Sequence, residues 1–100
     1  MSIQPFDFQG RQVRTVLVDG ELWFVGADVA RVLGYSATAA MTRSIEDDER
    51  GVQTLHTPSG DQDMTVVNEP GLYSAILRSR VPQAKAFKRW VTHEVLPRIR

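Results

Sequence analysis

The dipeptide Asp19-Gly20 is the feature that most constrains how this chain can fold. It separates two segments rich in β-branched and aromatic residues, residues 12–18 and residues 21–25. An Asp-Gly pair between two such segments favours the type I′ turn, whose twist matches the twist of the strands that it joins. The sequence therefore predicts an antiparallel β-hairpin over residues 12–25.

A pair of short helices is predicted directly after this hairpin. Residues 28–33 carry an apolar stripe, and Gly34 is placed to end that helix in the left-handed conformation. Ser36 is the predicted N-cap of a second helix over residues 37–45. Two helices joined by a glycine turn are the parts of a helix-turn-helix, although an ordinary αα-hairpin has the same pattern. Both interpretations stay open from the sequence.

A second hairpin and a third helix are predicted next. Residues 52–57 and 63–67 have strand character and flank a turn-forming segment that contains Pro and Gly. Pro70 suits the first turn of a helix that ends near Arg80. The predicted apolar face of this helix consists of Leu72, Tyr73, Ile76 and Leu77.

The last predicted helix begins at Pro82 and runs to about Leu96, before Pro97. At about 100° per residue, its apolar and basic residues fall on opposite sides. The apolar side carries Phe87 and Trp90, which we interpret as core residues and not as platforms for stacking bases. Together these elements predict an α+β fold, a single small domain with two β-hairpins and about four helices, including the helix-turn-helix-like pair.

Charge is distributed unevenly along the chain, although the formal net charge is zero. Residues 1–73 carry five basic and eleven acidic side chains, whereas residues 74–100 carry seven basic side chains and one acidic side chain. Such a separation favours an anionic partner for the C-terminal segment, unless the two segments fold against each other and their charges cancel. Both possibilities are compatible with the sequence.

The basic C-terminal segment is the best candidate for a binding site. Cations spaced over two helices can follow the phosphate backbone of double-stranded DNA and release its counterions. The alternative is that they are ordinary solvated side chains. Arg43 is added because it is the one strong hydrogen-bond donor of the predicted second helix. The six candidate cations are Arg78, Arg80, Lys85, Lys88, Arg89 and Arg43.

The sequence lacks the residues of most catalytic and cofactor-binding sites. The 100 residues include no Cys, and neither of the two histidines has the spacing of a metal ligand. There is no catalytic serine motif, phosphate-binding glycine loop or dinucleotide-binding motif. No segment approaches the ~18 consecutive apolar residues of a membrane span, and the start lacks a secretory pattern. We therefore expect a non-catalytic cytoplasmic protein with no cofactor, no metal and no membrane association.

Several phrases of the sequence, taken in order, are similar to one protein family. They are WFVGADVA and LGY at residues 23–30 and 33–35, NEPGLY at residues 68–73, SR, AK and FKRWV at residues 79–80, 84–85 and 87–91, and EVLPRIR at residues 94–100. In this set the chain resembles the Bro-N domain, the N-terminal domain of prophage antirepressors and of baculovirus BRO proteins. The resemblance covers nearly the whole chain.

The resemblance implies a DNA-binding, transcription-regulating domain, and residues 1–100 are then expected to be the N-terminal part of a longer protein. The name antirepressor implies an alternative, in which the domain captures a phage repressor protein. Assembly into a homo-oligomer is a third expectation. Residues 26–27 lack the basic residue that often precedes the Asp-Val-Ala phrase, and residues 36–41 are rich in Ala. DNA contacts are therefore expected at the C-terminal basic segment more than at the first helix pair.

Overall fold

The structure, a computed structural model, describes residues 3–99, and these form an α+β domain in which one antiparallel sheet packs against four helices. The fold class predicted from the sequence is confirmed. The five strands of the described chain are β1 (Ile3–Phe8), β2 (Arg11–Val18), β3 (Glu21–Val25), β4 (Arg50–Thr57) and β5 (Gly60–Asn68), in the sheet order β1-β2-β3-β5-β4. Arg100, the last residue of the family-like phrases, lies outside the described residues, as do Met1 and Ser2.

Both predicted hairpins are present. β2 and β3 pair in antiparallel register across Asp19-Gly20, with Val18 opposite Glu21. Asp19 has φ 51° and Gly20 has φ 80°, the two positive angles that a type I′ turn requires. β4 and β5 form the second hairpin, in which Thr57 lies opposite Gly60.

The structure adds a first strand that the sequence did not reveal. β1 pairs with β2 in antiparallel register, and the turn between them repeats the geometry of the first hairpin, with φ 51° at Gln9 and φ 82° at Gly10. Pro5 weakens the strand pattern of this segment but is tolerated because β1 is an edge strand. Phe6 and Phe8 of β1 are buried.

The helices are α1 (Gly26–Val32), α2 (Thr38–Thr42), α3 (Glu69–Arg78) and α4 (Gln83–Trp90), the last of which continues through a π-helical turn (Val91–Val95) into α5 (Leu96–Ile99). The prediction that the last helix ends before Pro97 is wrong. The amide of Leu96 donates to the carbonyl of Val91, five residues back. This wider turn accommodates a proline ring and its missing N–H without breaking the helix.

The second helix is shorter than predicted, and Ser36 is not its cap. Ala37 occupies the N-cap position in an extended conformation, with no side-chain cap. The helix ends at Thr42 because Ile45 turns inward, where its side chain is buried and its amide donates to the carbonyl of Thr42 at 3.0 Å.

The apolar face of α3 is narrower than predicted. Leu72, Ala75 and Ile76 are buried and Tyr73 is half-buried, but Leu77 is 80% exposed. At 100° per residue Leu77 lies roughly 140° from Leu72, which turns it away from the sheet. Including Leu77 in the core face was therefore wrong.

Aromatic rings join the edge of the sheet to α4. The ring centroids of Phe8 and Phe87 are 5.2 Å apart, and those of Phe8 and Trp90 are 5.1 Å apart. Phe87 is fully buried and Trp90 is half-buried. The interpretation of both rings as core residues is confirmed. Their burial also decides which residues of α4 must point outward.

Candidate nucleic-acid interface

The exposed side of α4 carries three cations on adjacent turns. Ala84 and Phe87 face the core, so that Lys85, Lys88 and Arg89 are exposed on the opposite side, spaced i, i+3 and i+4. They line a shallow surface groove, which Thr92 and His93 extend. We call Lys85, Lys88 and Arg89 the α4 basic face.

Arg78 and Arg80 lie where α3 ends and the chain turns towards α4, and both are exposed. Between them, the hydroxyl of Ser79 donates to the carbonyl of Leu33 at 2.7 Å. This bond ties the connection to the C-terminal end of α1. The two arginines are thereby held beside the turn of the first helix pair.

A close approach between the backbone of Gly34 and the side chain of Val81 also fixes the α3–α4 connection against the end of α1. Gly34 has φ 79°, and a Cβ at this position would come within 2.4 Å of a methyl group of Val81. Only glycine combines the left-handed angle with this contact. The glycine that was predicted to end the first helix therefore also seats the segment that leads into α4.

Tyr35 lies next to Gly34, and the ionisation of its side chain is affected by a charge of the C-terminal basic segment. Its hydroxyl donates to the carbonyl of Ala75 at 2.8 Å. Burial raises the pKa of the Tyr35 phenol above its usual value of 10, and the nearby positive charge of Arg78 opposes that rise. Arg78 therefore acts electrostatically on the first helix pair.

Arg43 is exposed and follows the last residue of α2. It does not line the groove along α4. The structure thus brings Lys85, Lys88 and Arg89 together and leaves Arg43 on a different element.

Direct internal compensation of these charges is not observed. Within residues 3–99, none of the six candidate cations forms a salt bridge. The acidic segment at residues 46–49 is largely exposed, and its short 3₁₀ turn (Asp47–Glu49) contacts α3, the helix that ends at Arg78. Glu49 of this segment lies beside Gly71 in the N-terminal part of α3, whereas Arg78 lies at the other end of that helix. The groove bordering α4 on the other side holds Asp7 and Glu94 together with Arg89 and His93, which limits the positive surface there.

The sequence did not reveal a cluster of arginines around one buried carboxylate. Asp28 is 2% exposed and accepts hydrogen bonds from the Nε and Nη2 atoms of Arg14 at 2.8 and 2.9 Å. The bond to Asp28 raises the pKa of the Arg14 guanidinium, against the opposing effect of burial. Arg31 lies 3.7 Å from the same carboxylate. Arg31 is three residues from Asp28 on the same helix, but Arg14 reaches Asp28 only because β2 packs against α1, and no local pattern indicates that contact.

Residues 3–99 contain neither a cluster of metal ligands nor a helix suited to spanning a membrane. No three His, Cys, Asp or Glu side chains of residues 3–99 come together in a way that could hold a metal ion. In the same part of the chain, no helix has both the length and the apolar character needed to cross a bilayer.

Comparison with known proteins gives one family. A family model described as the BRO family, N-terminal domain (Bro-N), matches residues 12–97. A protein of Haemophilus influenzae is 44% identical over 105 residues, an alignment that covers 100% of this chain and 51% of that protein. No solved structure matches this chain.

Two viral relatives carry the family name. A putative Bro-N domain-containing protein of invertebrate iridescent virus 3 is 28% identical over 127 residues, with 92% of this chain and 31% of that protein covered. A Bro-N domain-containing protein of Acanthamoeba polyphaga mimivirus is 28% identical over 109 residues, with 92% of this chain and 44% of that protein covered. The chain therefore spans about half the length of the bacterial relative and less than half of these two viral proteins.

Proposed function

This chain belongs to the BRO family, N-terminal domain, and on that premise we propose that it is a non-catalytic module that binds double-stranded DNA and regulates transcription in the manner of a prophage antirepressor. The observation that carries the proposal is the α4 basic face, three exposed cations on adjacent helical turns without an acidic partner among residues 3–99. Phosphate contacts by Lys and Arg supply most sequence-independent affinity for DNA.

The arrangement supports positioning on the backbone more than reading of bases. Lys is a point charge that suits phosphate, whereas base-edge readout uses Arg, Asn or Gln aimed into a groove. The α4 basic face presents two lysines and one arginine, and Arg78 and Arg80 add two further cations where the chain approaches α4. We therefore expect binding that depends strongly on salt and weakly on sequence.

Charge reversal on the α4 basic face tests the proposal. The double substitution Lys85→Glu/Arg89→Glu should weaken the binding of a labelled duplex at low salt by on the order of tenfold or more, because two attractive contacts become repulsive. Both residues are exposed, so that the fold should be retained.

A matched pair of single substitutions controls for net charge. Lys85→Glu and Arg98→Glu change the charge equally, but Arg98 lies in α5, roughly 20 Å further along the same helical run. Lys85→Glu should weaken binding more than Arg98→Glu. Equal losses, or no detectable binding by the unsubstituted chain at low salt, would contradict the proposal.

A second candidate function is capture of a phage repressor protein. The exposed acidic segment at residues 46–49 and the exposed side chains of Leu77 and Val52 favour it, since acidic and apolar groups can face a protein partner. Under this alternative, Lys85→Glu/Arg89→Glu would abolish DNA retention and leave repressor capture intact. Glu46→Lys/Asp48→Lys would abolish repressor capture and leave DNA retention intact.

A further inference from the structure

We infer that Arg11 and Arg31 form a second phosphate-binding site beside the C-terminal end of α1, so that a duplex on the α4 basic face is also held there. The inference rests on the proposed DNA-binding function and names residues outside the basic C-terminal segment. It follows from how two arginines, Arg14 and Arg31, share the carboxylate of Asp28 while Arg11 binds a backbone carbonyl beside them.

The carboxylate of Asp28 is already satisfied by Arg14. Both carboxylate oxygens accept from the guanidinium of Arg14, and one of them also accepts from the Arg14 backbone amide at 2.9 Å. Arg31 approaches to 3.7 Å, beyond the length of a hydrogen bond, and its side chain is 63% exposed. One negative charge therefore faces two guanidinium groups, and within residues 3–99 the more exposed of the two, Arg31, donates no side-chain hydrogen bond, which leaves it able to bind an outside acceptor.

Arg11 adds a further charge without adding a carboxylate. Its Nη1 atom donates to the backbone carbonyl of Arg31 at 3.2 Å, and its residue is exposed. Among residues 3–99 it forms no salt bridge. A carbonyl holds the guanidinium in place but leaves its charge uncompensated. Because the side chain is already ordered, little conformational entropy would be lost when it binds a phosphate.

The Arg11–Arg31 pair lies at the same end of α1 as the C-terminal arginines. Arg11 binds the carbonyl of Arg31, and Ser79 binds the carbonyl of Leu33, two residues further along. Arg80 follows Ser79 directly. The side chain of Arg11 and the α3–α4 connection that carries Arg80 are therefore both bound to the C-terminal end of α1.

The size of the molecule allows one duplex to contact all of these groups. The described chain measures 33 × 28 × 26 Å, and one helical turn of DNA is about 34–36 Å long. Guanidinium groups suit phosphate oxygens because their fork of donors can bind two oxygens at once. The α4 basic face and the Arg11–Arg31 pair are therefore no further apart than about one turn of DNA.

Removing the pair tests this inference. In Arg11→Ala/Arg31→Ala, the dissociation constant for a labelled 20-base-pair duplex should rise by on the order of tenfold, and the slope of log affinity against log salt should fall in magnitude by about 1.8, for two lost contacts. The control, Arg50→Ala/Arg98→Ala, removes two charges elsewhere and should change the slope less. Urea unfolding checks that each variant is folded.

The outcomes separate this inference from the proposed function. A folded double variant that binds with unchanged affinity and slope overturns the second site, even if Lys85→Glu/Arg89→Glu still loses DNA. Equal effects of the two double variants also overturn it, because the cause is then overall charge. If the double variant does not fold, Arg31→Ala alone should lower the slope by about 0.9, since its side chain is mostly exposed.

Discussion

Tyr35 is the residue whose ionisation reports on the junction between the first helix pair and the basic segment. Burial raises the pKa of its phenol, and Arg78 opposes that effect. A pKa that is higher in the folded chain than in the unfolded chain means that this group stabilises the fold below pH 10. That contribution is lost as the pH rises through the folded-state pKa.

Removing Arg78 should therefore raise the pKa of Tyr35 further. In Arg78→Ala the phenolate of Tyr35 loses a nearby positive charge. Its absorbance should therefore appear at a higher pH in a spectrophotometric titration than in the unsubstituted chain. Arg80→Ala is the control, because the positive charge that acts on Tyr35 is that of Arg78. A Tyr35 titration that is unmoved by Arg78→Ala would mean that the arginine does not lie beside this helix pair.

Single residues differ in how far the sequence predicts them. The exposure of Lys85, Lys88 and Arg89 follows from helical periodicity, because Phe87 has to face the core. The contact between Arg14 and Asp28 could not be predicted, because these residues are 14 positions apart along the chain and meet only when β2 packs on α1.

At the scale of elements, the turn at Gly34 connects the first helix pair to α4. Its left-handed angle was predictable from its position after an apolar stripe. Its contact with Val81 was not, because that contact joins segments almost 50 residues apart. The two requirements on Gly34 can be measured separately.

Gly34→Ala should destabilise the chain by about 2–4 kcal/mol, because a left-handed alanine costs about 1–2 kcal/mol and the new methyl group displaces Val81. Gly10→Ala has a similar positive φ but open space around it, so that it should show only the conformational cost. Urea unfolding measures both. In a Val81→Ala background the cost of Gly34→Ala should fall to that of Gly10→Ala, and equal costs of the two substitutions in the unsubstituted chain would refute the packing role.

The elements that sequence patterns missed have physical reasons. Strand β1 contains Pro5, which lowers its strand character, and it is stabilised by Phe6 and Phe8 packing on the aromatic residues of α4. The continuation of the last helix past Pro97 depends on a π-helical turn, which no local pattern indicates. Hairpins were predicted well because Asp-Gly and Pro-Ser-Gly turns act locally.

At the scale of the whole molecule, the acidic 3₁₀ turn and the α4 basic face belong to different elements. The turn at Asp47–Glu49 contacts α3, and Arg78 lies at the C-terminal end of that helix, with the α4 basic face following. Under the proposed function, the α4 basic face would attract DNA and the exposed acidic segment would repel it, which favours one orientation of binding. The uneven distribution of charge along the chain could be predicted from the sequence. The fold shows in addition that the six candidate cations form no salt bridges within residues 3–99.

The salt dependence of DNA affinity tests the central claim most directly. The labelled duplex is titrated by fluorescence anisotropy over a series of salt concentrations, with the unsubstituted chain and with Lys85→Ala/Lys88→Ala/Arg89→Ala. Log affinity should fall linearly with log salt, and the triple variant should lower the magnitude of the slope by about 2.7, for three lost phosphate contacts. An affinity that does not depend on salt, or a triple variant with the slope of the unsubstituted chain, would contradict DNA binding by the α4 basic face.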